Sequence, residues 1–175
     1  MFTGESPIIN KSNQQWRLKT SNHELDYDYV VIATHINDVP KLLENYKDFS
    51  FMSDFSYNTN KTILHTDESL MPVSKKLWSS WNSFKYDDFE YVTYWMNNLQ
   101  NIKSKTNFFV TIGNFPQIRT QNILKVMQYE HPLFDFNSQE VKDRVSELQG
   151  LDNLYFAGAY QGYGFHEDGL TSALN

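Results

Sequence analysis

The chain has 175 residues, enough for a domain with its own core, and its 40% hydrophobic and 21% charged content is ordinary for a globular protein. A net charge of −6 with no run of Lys or Arg argues against nucleic acid as a partner and against a polybasic membrane patch. The absence of cysteine excludes disulfides, thiolate nucleophiles and zinc–thiolate sites.

Aromatic residues make up 16% of the chain, mostly Phe and Tyr, which favour strands and large apolar pockets. No apolar stretch approaches the roughly 20 residues that span a bilayer. The opening MFTGESPIINKS lacks the basic-then-apolar order of a signal peptide, so the expected location is cytoplasmic.

In chain order, Trp16 to Thr20 alternates large and polar residues as a half-buried strand does, and Ser21-Asn22 supplies a turn. Leu25 to Tyr29 leads into Val30-Val31-Ile32-Ala33, an apolar run that suits a parallel strand buried on both faces. A helix is expected next, capped by Asn37, with Pro40 in its first turn and Val39, Leu42, Leu43 and Tyr46 as its buried stripe. Five short β-branched or aromatic segments follow: Lys61–Thr66, Leu77–Ser83, Tyr91–Met96, Phe108–Ile112 and Ile123–Tyr129. Polar turns separate them, as in an antiparallel sheet with one face covered. Ser138 caps a predicted helix over Gln139–Leu148, which Gln149-Gly150 ends. Asn153–Ala157 reads as a second buried strand, followed by a Gly-rich loop and a last helix that begins at Asp168. That helix is barely two turns long, and only one crossover-like element accompanies the parallel strands. The expectation is a chain cut at both ends from something larger.

The segment AGAYQGYGFHEDG, Ala157 to Gly169, holds four of the seven glycines. A strand, a Gly-rich loop and a helix start together place backbone N–H groups and about half a positive charge against an anion or a polar cofactor edge. A flavin, which gains negative charge around N1 and C2=O on reduction, fits that field. Glu167 and Asp168 oppose such charge if aimed inward. Aimed sideways, they cap the helix and accept hydrogen bonds from ligand hydroxyls. Plain turn chemistry is the competing reading of the same residues.

The run Phe156-Ala-Gly-Ala-Tyr-Gln-Gly-Tyr-Gly-Phe-His-Glu-Asp-Gly-Leu-Thr-Ser172 resembles the C-terminal signature of flavin-containing amine-oxidase-like proteins of bacteria and plants, described as predicted NAD/FAD-binding proteins. Asp28–His35, Leu64–Asp67, Met71-Pro72, Trp78–Asn82, Val92–Asn97 with Leu99-Gln100, and Glu130–Pro132 resemble the same family in the same order. The likeness runs over nearly the whole chain and corresponds to a little under half of the family's length.

The resemblance implies an α+β chain from a two-lobed fold, with a partial α/β FAD lobe and an antiparallel-sheet substrate lobe. The FAD lobe would comprise residues 1–48 and 150–175, and the substrate lobe 49–149. It implies FAD as cofactor, with Gly158, Ala159, Tyr160, Gly164, Phe165, His166, Glu167, Asp168 and Gly169 on the flavin side. No catalytic residue is assigned, because relatives transfer hydride without an obligatory protein acid or base. By association the substrate is an apolar small molecule of fatty-acyl type. Trp78, Trp81, Tyr94 and Trp95 sit on adjacent predicted strands, and they read either as sheet packing or as an aromatic wall over an elongated apolar substrate.

There are departures from the family pattern. Ala159 stands where many relatives place an acid, and Ser172-Ala173 stands where many have Ser-Gly. No G-x-G-x-x-G fingerprint for the pyrophosphate occurs in the chain. Flavin binding is therefore expected to need an N-terminal FAD-binding half, in the same natural chain or separately encoded. The alternative is a non-catalytic remnant or interaction module that binds no flavin by itself.

The histidines show no metal spacing, and His65-Thr66-Asp67 lacks a serine in a nucleophile-elbow context, which argues against a hydrolase triad. His166, beside the loop, is the histidine placed to tune a flavin or pass a proton.

Overall fold

The computed structural model describes residues 4–43 and 46–174. It forms two compact units, residues 1–58 with 132–175, and residues 59–131. Residues 49–58 and 132–149, expected in the substrate lobe, thus pack within the first unit.

The first unit opens with an antiparallel meander, β1 (Ile8–Ser12), β2 (Gln15–Lys19) and β3 (Glu24–Tyr27). Next comes β4 (Val30–Ile32), then a 3-10 turn over Ile36–Asp38 that runs into a single helical turn, α1 (Val39–Leu42). Asn37 therefore lies inside the 3-10 turn, and Asp38 precedes α1. The turn stops early because Leu43 is extended and bridges to Ile9. Val39 and Leu43 are buried as expected, while residues 44 and 45 of the expected helix lie outside the described residues.

The second unit is a sheet of five strands: β5 (Tyr57–His65), β6 (Trp81–Tyr86), β7 (Phe89–Trp95), β8 (Phe109–Asn114) and β9 (Ile123–Pro132). The helical turn α2 (Met96–Leu99) follows β7. Strand order is β6-β7-β8-β5-β9, and β6 with β7, β7 with β8, and β5 with β8 are antiparallel. The expected strand over Leu77–Ser83 begins only at Trp81. Lys75–Leu77 is a 3-10 turn, and the Trp78 indole N–H is held on the Pro72 carbonyl at 2.8 Å.

Back in the first unit, α3 (Phe136–Leu148) starts two residues before the predicted Ser138 cap. Asp135 is the N-cap, and Ser138 is its capping-box partner. The Asp135 carboxylate accepts from Ser138 N–H, and the Ser138 hydroxyl accepts from Asp135 N–H, both at 2.8 Å. Gly150, at φ +74°, ends the segment in the left-handed region that a Cβ disfavours. Strand β10 (Leu154–Phe156) then pairs parallel with β4, and α4 (His166–Leu174) closes the fold.

The core of the first unit gathers Trp16, Ile32, Ile36, Met52, Val145 and Phe156. Only one face of the β4–β10 pair reaches it. Val30, Ile32, Leu154 and Phe156 are buried, whereas Val31 is 62% exposed, which corrects the expectation of a strand buried on both sides. Among the described residues, no helix is long and apolar enough to cross a membrane.

Candidate functional site

The parallel pair sets the site. Its carboxyl ends release two loops on the same edge, residues 33–38 after β4 and 157–165 after β10. Parallel sheets offer ligands a crevice at that edge. The ladder continues one step further, since Ala157 N–H donates to the Ile32 carbonyl at 3.0 Å.

From there the chain's own side chains shape the loop. The Phe156 N–H and carbonyl are both taken by the Gln149 side chain, at 2.9 and 2.7 Å, which does for β10 what a further strand would do. Gly158 N–H donates to the Ser172 hydroxyl at 2.9 Å, and that hydroxyl donates to the Gly169 carbonyl, so α4 is stitched to the strand end. Lys142 donates to the Gly162 carbonyl at 2.8 Å, with its ammonium over the rings of Phe134 and Tyr163. One oxygen of Asp168 accepts from both Tyr163 N–H and Phe165 N–H, at 3.0 and 2.9 Å. A Cβ at residue 162 would stand 2.3 Å from the Asp168 carboxyl carbon, so the closeness of this staple requires a glycine there. Gly164 is at φ +89° against Pro132 and Phe134, and it too needs to be glycine.

The nine expected flavin-side residues therefore divide. Tyr160 is buried beneath the loop, its ring tight against Gly158 and edge-on to Phe55. Burial pushes the pKa of its hydroxyl up to about 12, although the Gln161 side chain opposes the shift. Asp168 turns its carboxylate back onto the loop. Gly158, Ala159 and Gly169 are half-buried, with the Gly169 position in ordinary contact with Ala159. Phe165 is 70% exposed, His166 and Glu167 are exposed, and no residue of α4 is buried. The stretch from Gly164 to Gly169 is thus open to solvent, with the α4 N-terminus beside it. Beside the β4 end, His35 stacks on Tyr57 at 4.3 Å, and the side-chain oxygen of Asn37 is buried without a partner.

These features fit the edge of a planar, partly anionic ligand. They include an open helix start, a glycine-lined strand end and a buried polar atom without a partner, the Asn37 side-chain oxygen. Sequence inspection missed Gln149, Lys142 and Ser172. Lys142 lies on α3 and Gln149 caps its end, and no local sequence signal marks either as a partner of the loop.

The expected aromatic wall is two separate clusters. Trp81 sits opposite Tyr94 in the ladder, with their rings stacked at 6.3 Å. Trp95 belongs to the other face of the sheet, opposite Phe109, and Trp78 packs edge-on to Trp95 and Phe109. Strand alternation separates Tyr94 from Trp95. His65 is fully buried; its Nδ1 accepts from Asp67 N–H at 3.1 Å, so its Nε2–H donates to the Thr111 hydroxyl at 2.8 Å. Burial lowers its pKa to about 4, although the Asp67 charge opposes the shift, so the imidazole is neutral and structural. Among the described residues no His, Asp and Glu cluster could hold a metal ion.

Neither the protein-family models nor the curated proteins contain a match to this chain. Solved structures do match. A fatty acid isomerase from P. acnes that produces CLA aligns over 97% of this chain and 46% of its own, with a TM-score of 0.64 at 10% identity. A protein described as a protoporphyrinogen oxidase, from Exiguobacterium sp. 255-15, aligns over 95% and 44%, with a TM-score of 0.55 at 15% identity. Reduced UDP-galactopyranose mutase aligns over 95% and 42%, with a TM-score of 0.64 at 11% identity. The chain thus spans less than half the length of each of these structures. Its mixed α+β architecture with antiparallel sheets matches part of the fold of these structures.

Proposed function

We propose that this chain forms the ring-side part of an FAD-dependent oxidoreductase acting on a largely apolar small molecule. The observation that carries the reading is the open, glycine-lined edge where β4 and β10 end and α4 begins. Bound flavin would supply hydride transfer to or from a carbon of the substrate. The role of this chain's residues is to hold and tune it. Gly158, Ala159 and Gly169 keep the strand end low enough for close approach. The first turn of α4 favours negative charge at the ring edge. Phe165 and His166 flank the opening, and Glu167 is the carboxylate left for ligand hydroxyls. Asp168 and Tyr160 act indirectly, as the staple and the floor of the loop.

The chain has no dinucleotide fingerprint to grip the pyrophosphate, so FAD retention is proposed to depend on a lobe that carries one. The chain alone should lose flavin absorbance on desalting after incubation with FAD. Co-expressed with an N-terminal lobe bearing the fingerprint, it should retain flavin at close to one equivalent. A colourless pair would contradict the reading and leave the second one, a non-catalytic interaction module. The exposed outer face of the parallel pair, with Val31 62% and Tyr155 38% exposed, favours that second reading.

A further inference from the structure

The two edges of the β4–β10 pair differ. Successive residues of a strand turn their backbone N–H and C=O to opposite edges. Ala157 N–H reaches the Ile32 carbonyl, so Leu154 and Phe156 turn their groups away from β4, and Val31 turns its own away from β10. On the β10 side the Leu154 carbonyl and both groups of Phe156 are taken. Gly150 N–H donates to the Leu154 carbonyl at 2.9 Å. Phe156 N–H donates to Gln149 Oε1, and the Phe156 carbonyl accepts from Gln149 Nε2 and, at 2.6 Å, from Gln161 Nε2. The β4 side is open. Among the described residues, Val31 N–H and C=O have no hydrogen-bond partner, and no strand lies beyond β4.

The bare edge adjoins a bare face. Val31 and Tyr155 are paired in register, so their side chains point to the same side of the pair, and both are exposed. Parallel strands are ordinarily covered on both faces, and two strands alone make a marginal sheet. The apolar run from Val30 to Ala33 is composed for a strand covered on both faces, and the described residues cover one.

We propose that β4 is the edge at which this chain takes a further parallel strand from a partner, a strand–helix unit whose helix lies over Val31 and Tyr155, and that Gln149 is the guard that confines such pairing to this edge. The parallel sense follows from where ligands sit. The loops of this chain leave the carboxyl ends of β4 and β10, and a phosphate-gripping loop must leave its own strand at that same edge to share one ligand with them. A strand of opposite sense would put its loop at the far edge. Parallel neighbours need a crossover, usually a helix, and a helix needs the apolar floor that Val31 and Tyr155 supply. The solved structures that match are each more than twice as long as their aligned part, which leaves room in them for such a unit. The inference rests on the proposed function only in identifying the partner as the lobe that carries the dinucleotide fingerprint.

Docking is read without flavin, by amide exchange followed by NMR on the chain alone and on the chain paired with the fingerprint-bearing lobe. The Val31 amide should exchange freely in the chain alone and about tenfold more slowly in the pair. The Phe156 amide, already held by Gln149, should be slow in both. Val31→Pro removes the edge donor without cutting a hydrogen bond inside the chain, and should lower recovery of the pair about tenfold. Val31→Lys keeps the N–H but puts a charge under the helix, and should weaken the pair even if the proline variant fails to fold. Gln149→Ala should free the β10 edge, so that the chain alone self-associates.

A pair that fails to form, or forms with the Val31 amide unprotected, overturns the inference. So does recovery unaffected by both Val31 variants. Protection of Val31 in the chain alone, within a dimer, would assign the edge to a second copy and overturn it too. A Gln149→Ala chain that stays monomeric removes the guard. A pair with Val31 protected that takes up no FAD would keep the docking edge and remove the oxidoreductase reading. A pair that holds FAD with Val31 unprotected would do the reverse.

Discussion

Lowering the pH from 6.5 toward 4 is expected to cost the folded state about 3 kcal/mol through His65 alone. The unfolded imidazole takes its proton near 6.5, but the buried one holds off until about 4. Between these values the unfolded state binds more protons. The stabilisation is therefore complete above pH 6.5, falls through the window and levels off below 4. The cause is geometric: His65 is fully buried, and Asp67 N–H occupies its Nδ1. A protonated ring would need to donate from Nδ1, where it now accepts. Asp67 contributes elsewhere on the scale. Burial alone would raise its pKa, but hydrogen bonds from Ser69, Asn122 and Arg119 hold it near 2, so its share is lost only below about 3.8. Urea denaturation at a series of pH values should show the slope in the native protein, and His65→Gln should flatten it between 6.5 and 4. Equal slopes in both would contradict the assignment.

Trp16→Ala is expected to destabilise the first unit by about 3–5 kcal/mol, a large part of the margin of an ordinary domain. Trp16 is fully buried and edge-on to Tyr46 at 4.8 Å. Its indole N–H donates to the Asp152 carbonyl at 2.9 Å, and Lys11 donates to the same oxygen. Asp152 is itself in the left-handed region at φ 54°, and Tyr46 hydrogen-bonds its carboxylate. This cluster clamps the meander to the turn that launches β10, and hence to the loop at the end of β10. The loss should appear as a lower urea midpoint followed by circular dichroism. Trp16→Phe, which retains ring packing and drops one hydrogen bond, should fall between the two. A change below about 1 kcal/mol for Trp16→Ala would show that the clamp does not hold the unit together.

The fold was legible where apolar periodicity and tertiary demand agreed. The meander strand at Trp16, the strands β4 and β10 themselves, four of the five middle strands and the segment end at Gly150 follow directly from local pattern, whereas the pairing of β4 with β10 is long-range. The misses have physical causes. Leu77–Ser83 is rich in strand formers, but the Trp78 indole locks onto Pro72 and delays the strand to Trp81. The Ser138 cap was misplaced because Asp135, three residues earlier, takes the reciprocal capping role, and a capping box reads from either partner. Alternation of Trp81, Tyr94 and Trp95 could have warned that they cannot share a face. Trp78 lies outside the regular strand, so its side was invisible. At the loop, the glycines pointed to close approach, but what approaches Gly162 is the chain's own Asp168. The long-range partners Gln149 and Lys142 depend on α3 packing, which local spacing does not encode.

Amide hydrogen exchange on the chain paired with a fingerprint-bearing lobe, with and without FAD, tests the flavin edge most directly. Exchange across residues 157–169 should slow by about tenfold or more when flavin is loaded, with the amides of Ala159 and of the first turn of α4 among those protected. Retained flavin with unchanged exchange across that segment would place the ring elsewhere and remove this loop from the site.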